Sequence, residues 1–188
     1  MKELLQQHII QPLNNVVGRM LEAVFYHDVF PGADLTTNGH IDIILQQLEL
    51  VFEGEAVVYI SWATIPGWMQ YSLSVSHESF CIRSERYAPA SAYWQQCKGK
   101  PLADFEVYGY DKETVIEAGA DSRKEETYYN EPHLVILHFA DHRIGVANWY
   151  AEENFIPRLP IGDDVWILFD EQEVSHFIEI LKLDRLHP

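Results

Sequence analysis

Histidines close to carboxylates are the side chains best suited to chemistry in this sequence. Three of its nine histidines, His133, His138 and His142, gather with Asp141 in the stretch 132–149, PHLVILHFADHRIGVANW. A metal would need them to converge. On a strand, residues five apart point to opposite faces, so His133 and His138 cannot easily share an ion. His138 and His142 meet only if the turn between them folds back, and no third ligand stands at a recognised spacing. Neither a metal site nor a cofactor is expected.

His27-Asp28 and His40-x-Asp42 have the types of a general-base pair. Near-adjacent pairs of this kind are common by chance, and a helix-end His and a strand-start Asp explain them equally well. Ser76-His77 lacks a third member, and triads are not built from sequence neighbours. There is no nucleophile elbow, phosphate-binding glycine loop or HExxH helix. Cys97, on a short helix before Lys98, reads as a half-buried structural thiol. No catalytic residue is therefore assigned.

Binding is better supported. Lys and Arg total 13 against 29 Asp and Glu, for a formal charge of −16. That balance works against nucleic-acid phosphates and anionic membranes, and steers basic partners inward. Glu152-Glu153, Asp163-Asp164, Asp170-Glu171 and Glu173 crowd a C-terminal region holding one base, Arg158. They lack the ligand ladder of a calcium loop. Solvated loops and a helix N-terminus account for them, and the sharper alternative is an acidic face for a basic protein. Trp68 follows Pro66-Gly67, where an indole is readily exposed as an anchor. The candidate binding residues are Trp68, Glu152, Glu153, Asp163 and Asp164.

The elements that must position these residues follow from periodicity. Residues 134–149 predict a hairpin turning at Asp141-His142, with Phe139, Leu137 and Val135 sharing a face with Ile144, Val146 and Asn148. The opposite face, His138, Ile136 and Leu134 with Gly145, Ala147 and Trp149, is also mostly apolar. It calls for covering helices or a dimer interface. Offset by 87 residues, Leu48, Leu50 and Phe52, then Val57, Tyr59, Ser61 and Trp62, repeat the pattern around a two-residue turn at Gly54-Glu55. An internal duplication of hairpins 47–62 and 134–149 is one explanation; shared alternation is the plainer one.

Elsewhere, residues 3–27 predict a helix, with Leu13, Val16, Val17, Met20, Leu21, Val24 and Phe25 on its apolar stripe and Pro12 at a break or kink. Residues 30–39 carry turn chemistry. Residues 41–45 read as a strand with a break near Gln46-Gln47, residues 71–76 as a half-exposed strand, and residues 79–83 as a short one. A short helix at 89–97, a strand at 102–110, a long charged loop at 111–131, an irregular stretch at 151–160 and a strand at 165–169 follow. A final helix is capped by Asp170, with Glu173 three residues on and Val174, Phe177, Ile178 and Leu181 buried.

These elements make one α+β domain over residues 1–188: a mainly antiparallel sheet built from two similar hairpin units, flanked by an N-terminal and a C-terminal helix. The two cysteines form no disulfide framework, and the N-terminus lacks the pattern of a signal peptide, so a cytoplasmic monomer or homodimer is expected. The function that fits is a non-catalytic acidic protein that binds a basic protein partner, for example an immunity-type inhibitor of a toxin. The alternative is a small hydrolase or a ligand- or carbohydrate-binding module. The hydrolase needs His138, His142 and an acid on one concave surface, and the carbohydrate module needs coplanar exposed rings.

Overall fold

The computed structural model describes residues 2–28, 39–68, 71–81, 83–89, 91–118, 123–149 and 162–187. The stretches 30–38 and 151–160, with Glu152 and Glu153, lie outside them. The fold is α+β, with two antiparallel sheets and few helices.

The chain begins with α1 (Lys2–Leu5), a π-helical turn (Gln6–Ile10) and α2 (Gln11–Asn14), joined through residues that keep helical angles. The Gln11 amide donates to the Gln6 carbonyl across five residues, immediately before Pro12, which has no N–H to give. Leu5, Ile9, Leu13 and Val16 bury one face of this rod.

The expected helix over 3–27 does not continue. After Gly18 (φ 83°) the chain enters β1 (Leu21–Asp28). A bulge between Leu21 and Ala23 spaces the inward residues of β1 as Leu21, Val24 and Tyr26. That spacing imitates a helical stripe, and it misled the periodicity.

β2 (Ile41–Ile44) and β3 (Gln47–Phe52) are consecutive but belong to different sheets, and the chain crosses between them at Leu45-Gln46. β4 (Ala56–Ala63), β5 (Ser72–Ser76) and β6 (Glu85–Tyr87) complete a five-stranded sheet in the order β5-β4-β3-β1-β6. The β3–β4 turn has three residues, with Gly54 (φ 78°) and Glu55 (φ 60°) both left-handed. It pairs Phe52 with Ala56 and Leu50 with Val58, one residue away from the expected register. A one-residue slip exchanges the faces of a strand. Val58 and Ile60 are therefore buried in the main core, where Val57 and Tyr59 had been expected. β5 is buried, not half-exposed, and the expected strand at 79–83 is replaced by β6 slightly later.

After α3 (Tyr93–Cys97) come β7 (Asp104–Ala118), β8 (Arg123–Phe139), β9 (His142–Trp149), β10 (Asp164–Leu168), α4 (Glu171–Leu181) and β11 (Asp184–His187). They make a six-stranded sheet in the order β11-β7-β8-β9-β10-β2. The expected loop at 111–131 is a two-stranded ribbon: β7 and β8 stay paired from Lys112 opposite Tyr129 to Ala118 opposite Arg123. At its base, a Cβ on Gly109 would lie 1.9 Å from the Glu131 carbonyl oxygen, so only glycine fits.

The central β8–β9 hairpin turns at Ala140-Asp141, one residue earlier than expected, with Ala140 at φ 53°. Leu137 opposes Ile144 and Val135 opposes Val146. The partners differ from expectation by two positions, so both faces keep their residues. Val135, Leu137, Phe139, Ile144 and Val146 join the core shared with the first sheet. Leu134, Ile136 and Ala147 pack with Val174, Phe177 and Leu181 of α4. Burying each of these α4 side chains contributes about 1.5–3 kcal/mol. The second apolar face is thus covered by one helix. Asp170 caps α4, its Oδ1 accepting from the Gln172 amide at 2.7 Å.

Candidate functional site

The structure scatters most of the sequence candidates. His133 is 0% exposed and lies edge-on to Tyr110 with ring centroids 5.2 Å apart. Neither ring nitrogen has a hydrogen-bond partner among the described residues. Burial pulls its pKa down to about 4, partly offset by Asn148 alongside. His138 and His142 diverge because His138 opposes Arg143 while His142 opposes Phe139 on the other face. His138 Nε2 lies 2.8 Å from Glu106, and His142 Nε2 lies 3.5 Å from Asp141. His142 and Asp141 line a cleft with Tyr93, Gln96, Arg143 and Glu171, and His138 is not among its lining residues. The convergence that a hydrolase at this hairpin required is absent from the described residues. Nor do any three of their His, Cys, Asp or Glu side chains form a group able to hold a metal ion.

His40 and Asp42 also part company. The Tyr93 hydroxyl is 3.0 Å from His40, and Asp42 accepts the Tyr26 hydroxyl at 2.6 Å in a buried chain that continues to Trp94. His77 binds the Val57 carbonyl and Asn15, not Ser76. Cys97 is buried, and burial pushes its thiol up to about 11, as suits a structural thiol.

Trp68, expected to be exposed, is only 4% exposed. It packs edge-on against His8 of the N-terminal rod, with centroids 6.0 Å apart, while Leu4 closes over neighbouring Gly67. A turn residue was buried because a helix lies across it. Asp163 is exposed and Asp164 half-buried. Burial first, then the charges of Asp163 and Asp28, push the Asp164 carboxyl up to about 6.

One arrangement does bring chemistry together, and it uses a sequence candidate with unexpected partners. Alternation along β1 separates His27 from Asp28. His27 instead meets Glu49 of β3, where it opposes Gln47 in the register, and Arg86 and Ser84 at the start of β6. His27 Nε2 is 2.6 Å from Glu49 Oε2, and His27 Nδ1 is 3.1 Å from Ser84 Oγ. Arg86 forks onto the same carboxylate at 2.9 and 2.7 Å, with its guanidinium carbon 3.3 Å above the Phe25 ring. Glu49 is only 4% exposed. Burial alone would raise its pKa, but the hydrogen bonds from Arg86 and His27 outweigh that and hold it below the usual carboxylate range.

An ionised carboxylate only accepts, so Nε2 carries the imidazole proton of neutral His27 and Nδ1 is the acceptor. Ser84 must then donate. The segment carrying Ser84 is held over β3 by Gln47, whose Nε2 donates to Ser79 Oγ at 2.8 Å and whose Oε1 accepts from the Phe80 amide at 2.9 Å. None of Glu49, Ser84 and Arg86 was identifiable from the sequence, because they reach His27 only through β1–β3 and β1–β6 pairing.

A second cluster surrounds Glu106, which accepts from Tyr108 at 2.7 Å and meets Arg185 at 3.1 Å and Arg143 at 3.5 Å. Burial works to raise its pKa, and Tyr108 with these cations overcomes it. Its charge is compensated, whereas the charges among the described residues that shift Asp164 are both negative. No family model, curated protein or solved structure matches this chain.

Proposed function

We propose that this chain is an acidic binding protein that acts in the cytoplasm by occupying a basic protein partner, an immunity-type inhibitor of a toxin being one concrete case. The observation that supports it most directly is Asp164, whose carboxyl feels the negative charges of Asp163 and Asp28 after the effect of burial. An acid held among acids marks a negative field that a cationic surface would relieve. The formal charge of −16 extends that field. Trp68 is not part of the proposed face, being buried, and Glu152 and Glu153 lie outside the described residues. No helix among the described residues is long and apolar enough to cross a membrane.

The test is capture of partners from the source lysate through a salt series, followed by association kinetics with the recovered protein. A basic partner should lose about tenfold or more in on-rate against the double variant Asp163→Lys, Asp164→Lys. An unchanged on-rate would remove this face from the proposal.

A second reading, a small hydrolase working through a histidine and a carboxylate, is favoured by a separate observation: His27 is held between Glu49 and Ser84.

A further inference from the structure

We propose that Ser84 is the nucleophile of an acyl-transfer site, with His27 as its general base, Glu49 as the group that orients His27, and small activated carboxylic esters as substrates. This rests on the hydrolase reading and adds to it a nucleophile and a substrate class.

The order of the groups is the first support. Ser84 is half-buried, while His27 and Glu49 are buried behind it. Of the three residues, Ser84 is thus the most accessible to a substrate. The distances, 3.1 Å for Ser84 Oγ to Nδ1 and 2.6 Å for Nε2 to Glu49, are those of a nucleophile–base–orienter relay. The tautomer is set by Glu49, which leaves Nδ1 free to take the Ser84 proton. The thiol of Cys81, which burial pushes up, also lies within hydrogen-bonding reach of Ser84.

The substrate class follows from Arg86. Its two hydrogen bonds to Glu49 compensate much of the charge that would otherwise stabilise an imidazolium. A base supported this weakly suits esters with good leaving groups rather than amides.

In the first step the Ser84 Oγ–H proton passes to His27 Nδ1 as Oγ bonds to the ester carbonyl carbon. The carbon–alkoxide bond then breaks, and the departing oxygen takes the proton from Nδ1. In the second step water attacks the acyl-serine, giving its proton to Nδ1. The Oγ–acyl bond breaks, the carboxylic acid leaves and Nδ1 returns the proton to Oγ. Water is the only co-reactant, and no electrons are exchanged.

The experiment uses the full chain with p-nitrophenyl acetate as substrate and a fluorophosphonate as a serine-directed label mapped by mass spectrometry. The proteins are wild type, Ser84→Ala and His27→Gln, each checked by thermal melt. Label on Ser84, with turnover reduced at least 100-fold in Ser84→Ala, is the expected result. General-base and nucleophilic contributions are typically on the order of 10²–10⁴. Ser84→Ala removes one half-buried hydroxyl, so it tests the proposal even if His27→Gln unfolds. Turnover kept in Ser84→Ala but lost in a folded His27→Gln would overturn the serine assignment and leave a hydrolase in which His27 activates water. Absence of both turnover and label in wild type would overturn the hydrolase reading and the nucleophile with it.

Discussion

Replacing His133 with leucine tests whether this ring is carried as a buried neutral group. The side chain is 0% exposed, with Asn148 the side chain that partly offsets the effect of burial on the ring. Its folded pKa of about 4 lies below the ordinary value of 6.5. Between those values the unfolded chain binds the proton and the folded chain does not. Stability is therefore fully present above pH 6.5 and is lost as pH falls toward 4. A shift of this size corresponds to roughly 3 kcal/mol.

His133→Leu removes that slope. At pH 7 it also replaces a buried polar ring, whose desolvation costs about 1–3 kcal/mol for each atom left without a hydrogen bond, by a side chain of similar bulk. The variant should be at least as stable as wild type at pH 7. Its advantage should widen by roughly 3 kcal/mol by pH 4. Urea unfolding followed by tryptophan fluorescence at intervals from pH 7.5 to 4 measures the difference directly. A wild-type-minus-variant difference that stays flat with pH would refute the claim that the ring is excluded from water and neutral.

Asp164→Asn probes the opposite sign. A carboxyl raised from 3.8 to about 6 costs stability as pH rises through that interval, so the variant should be more stable at pH 7. The gain is up to about 2 kcal/mol after allowing for partial exposure, and it should vanish below pH 4 in the same unfolding series. Gly109→Ala places a carbon against the Glu131 carbonyl and should cost about 3 kcal/mol or more, read as a melting point about 6–12 °C lower. An unchanged melting point would mean the backbone at Gly109 and Glu131 relaxes without strain. Asp170→Ala deletes the α4 cap and should cost about 1 kcal/mol, a fall of about 2–4 °C.

What could be read in the sequence was whatever burial imprinted on it. The hairpin 134–149 is apolar on both faces because a sheet covers one and α4 the other. Its turn was misplaced by one residue, yet both faces survived because the pairing moved by two. The hairpin 47–62 was less forgiving. Glu55 adopts a left-handed conformation, the turn gains a residue, and the inward set of β4 changes. Across the 87-residue offset the inward residues of the first strands therefore match, while those of the second strands, Val58 and Ile60 against Ile144 and Val146, do not. The ribbon was not legible, because residues 111–131 carry many charges and no apolar period. Charge crowding at Asp163-Asp164 was legible as composition, but its reinforcement by Asp28 required knowing that the end of β1 lies near the start of β10. The Ser84–His27–Glu49 relay was illegible for the same reason: strand pairing, not sequence spacing, assembles it.

The crossing at Leu45-Gln46 has a consequence for synthesis of the chain. Every strand of the five-stranded sheet lies between Leu21 and Tyr87, so that sheet has all its partners before β7 has been translated. β2 is the exception within the same stretch. It is made early, but its ladder, Ile44 against Val165, awaits a strand from near the far end of the chain. On the ribosome, the first sheet can form while β2, with Ile41, Ile43 and Ile44, stays an unpaired apolar strand. Closing the long loop back to β10 carries the entropic penalty of distant contacts. Until β10 arrives, the nascent chain presents one sticky strand, and a chaperone would find its binding segment there.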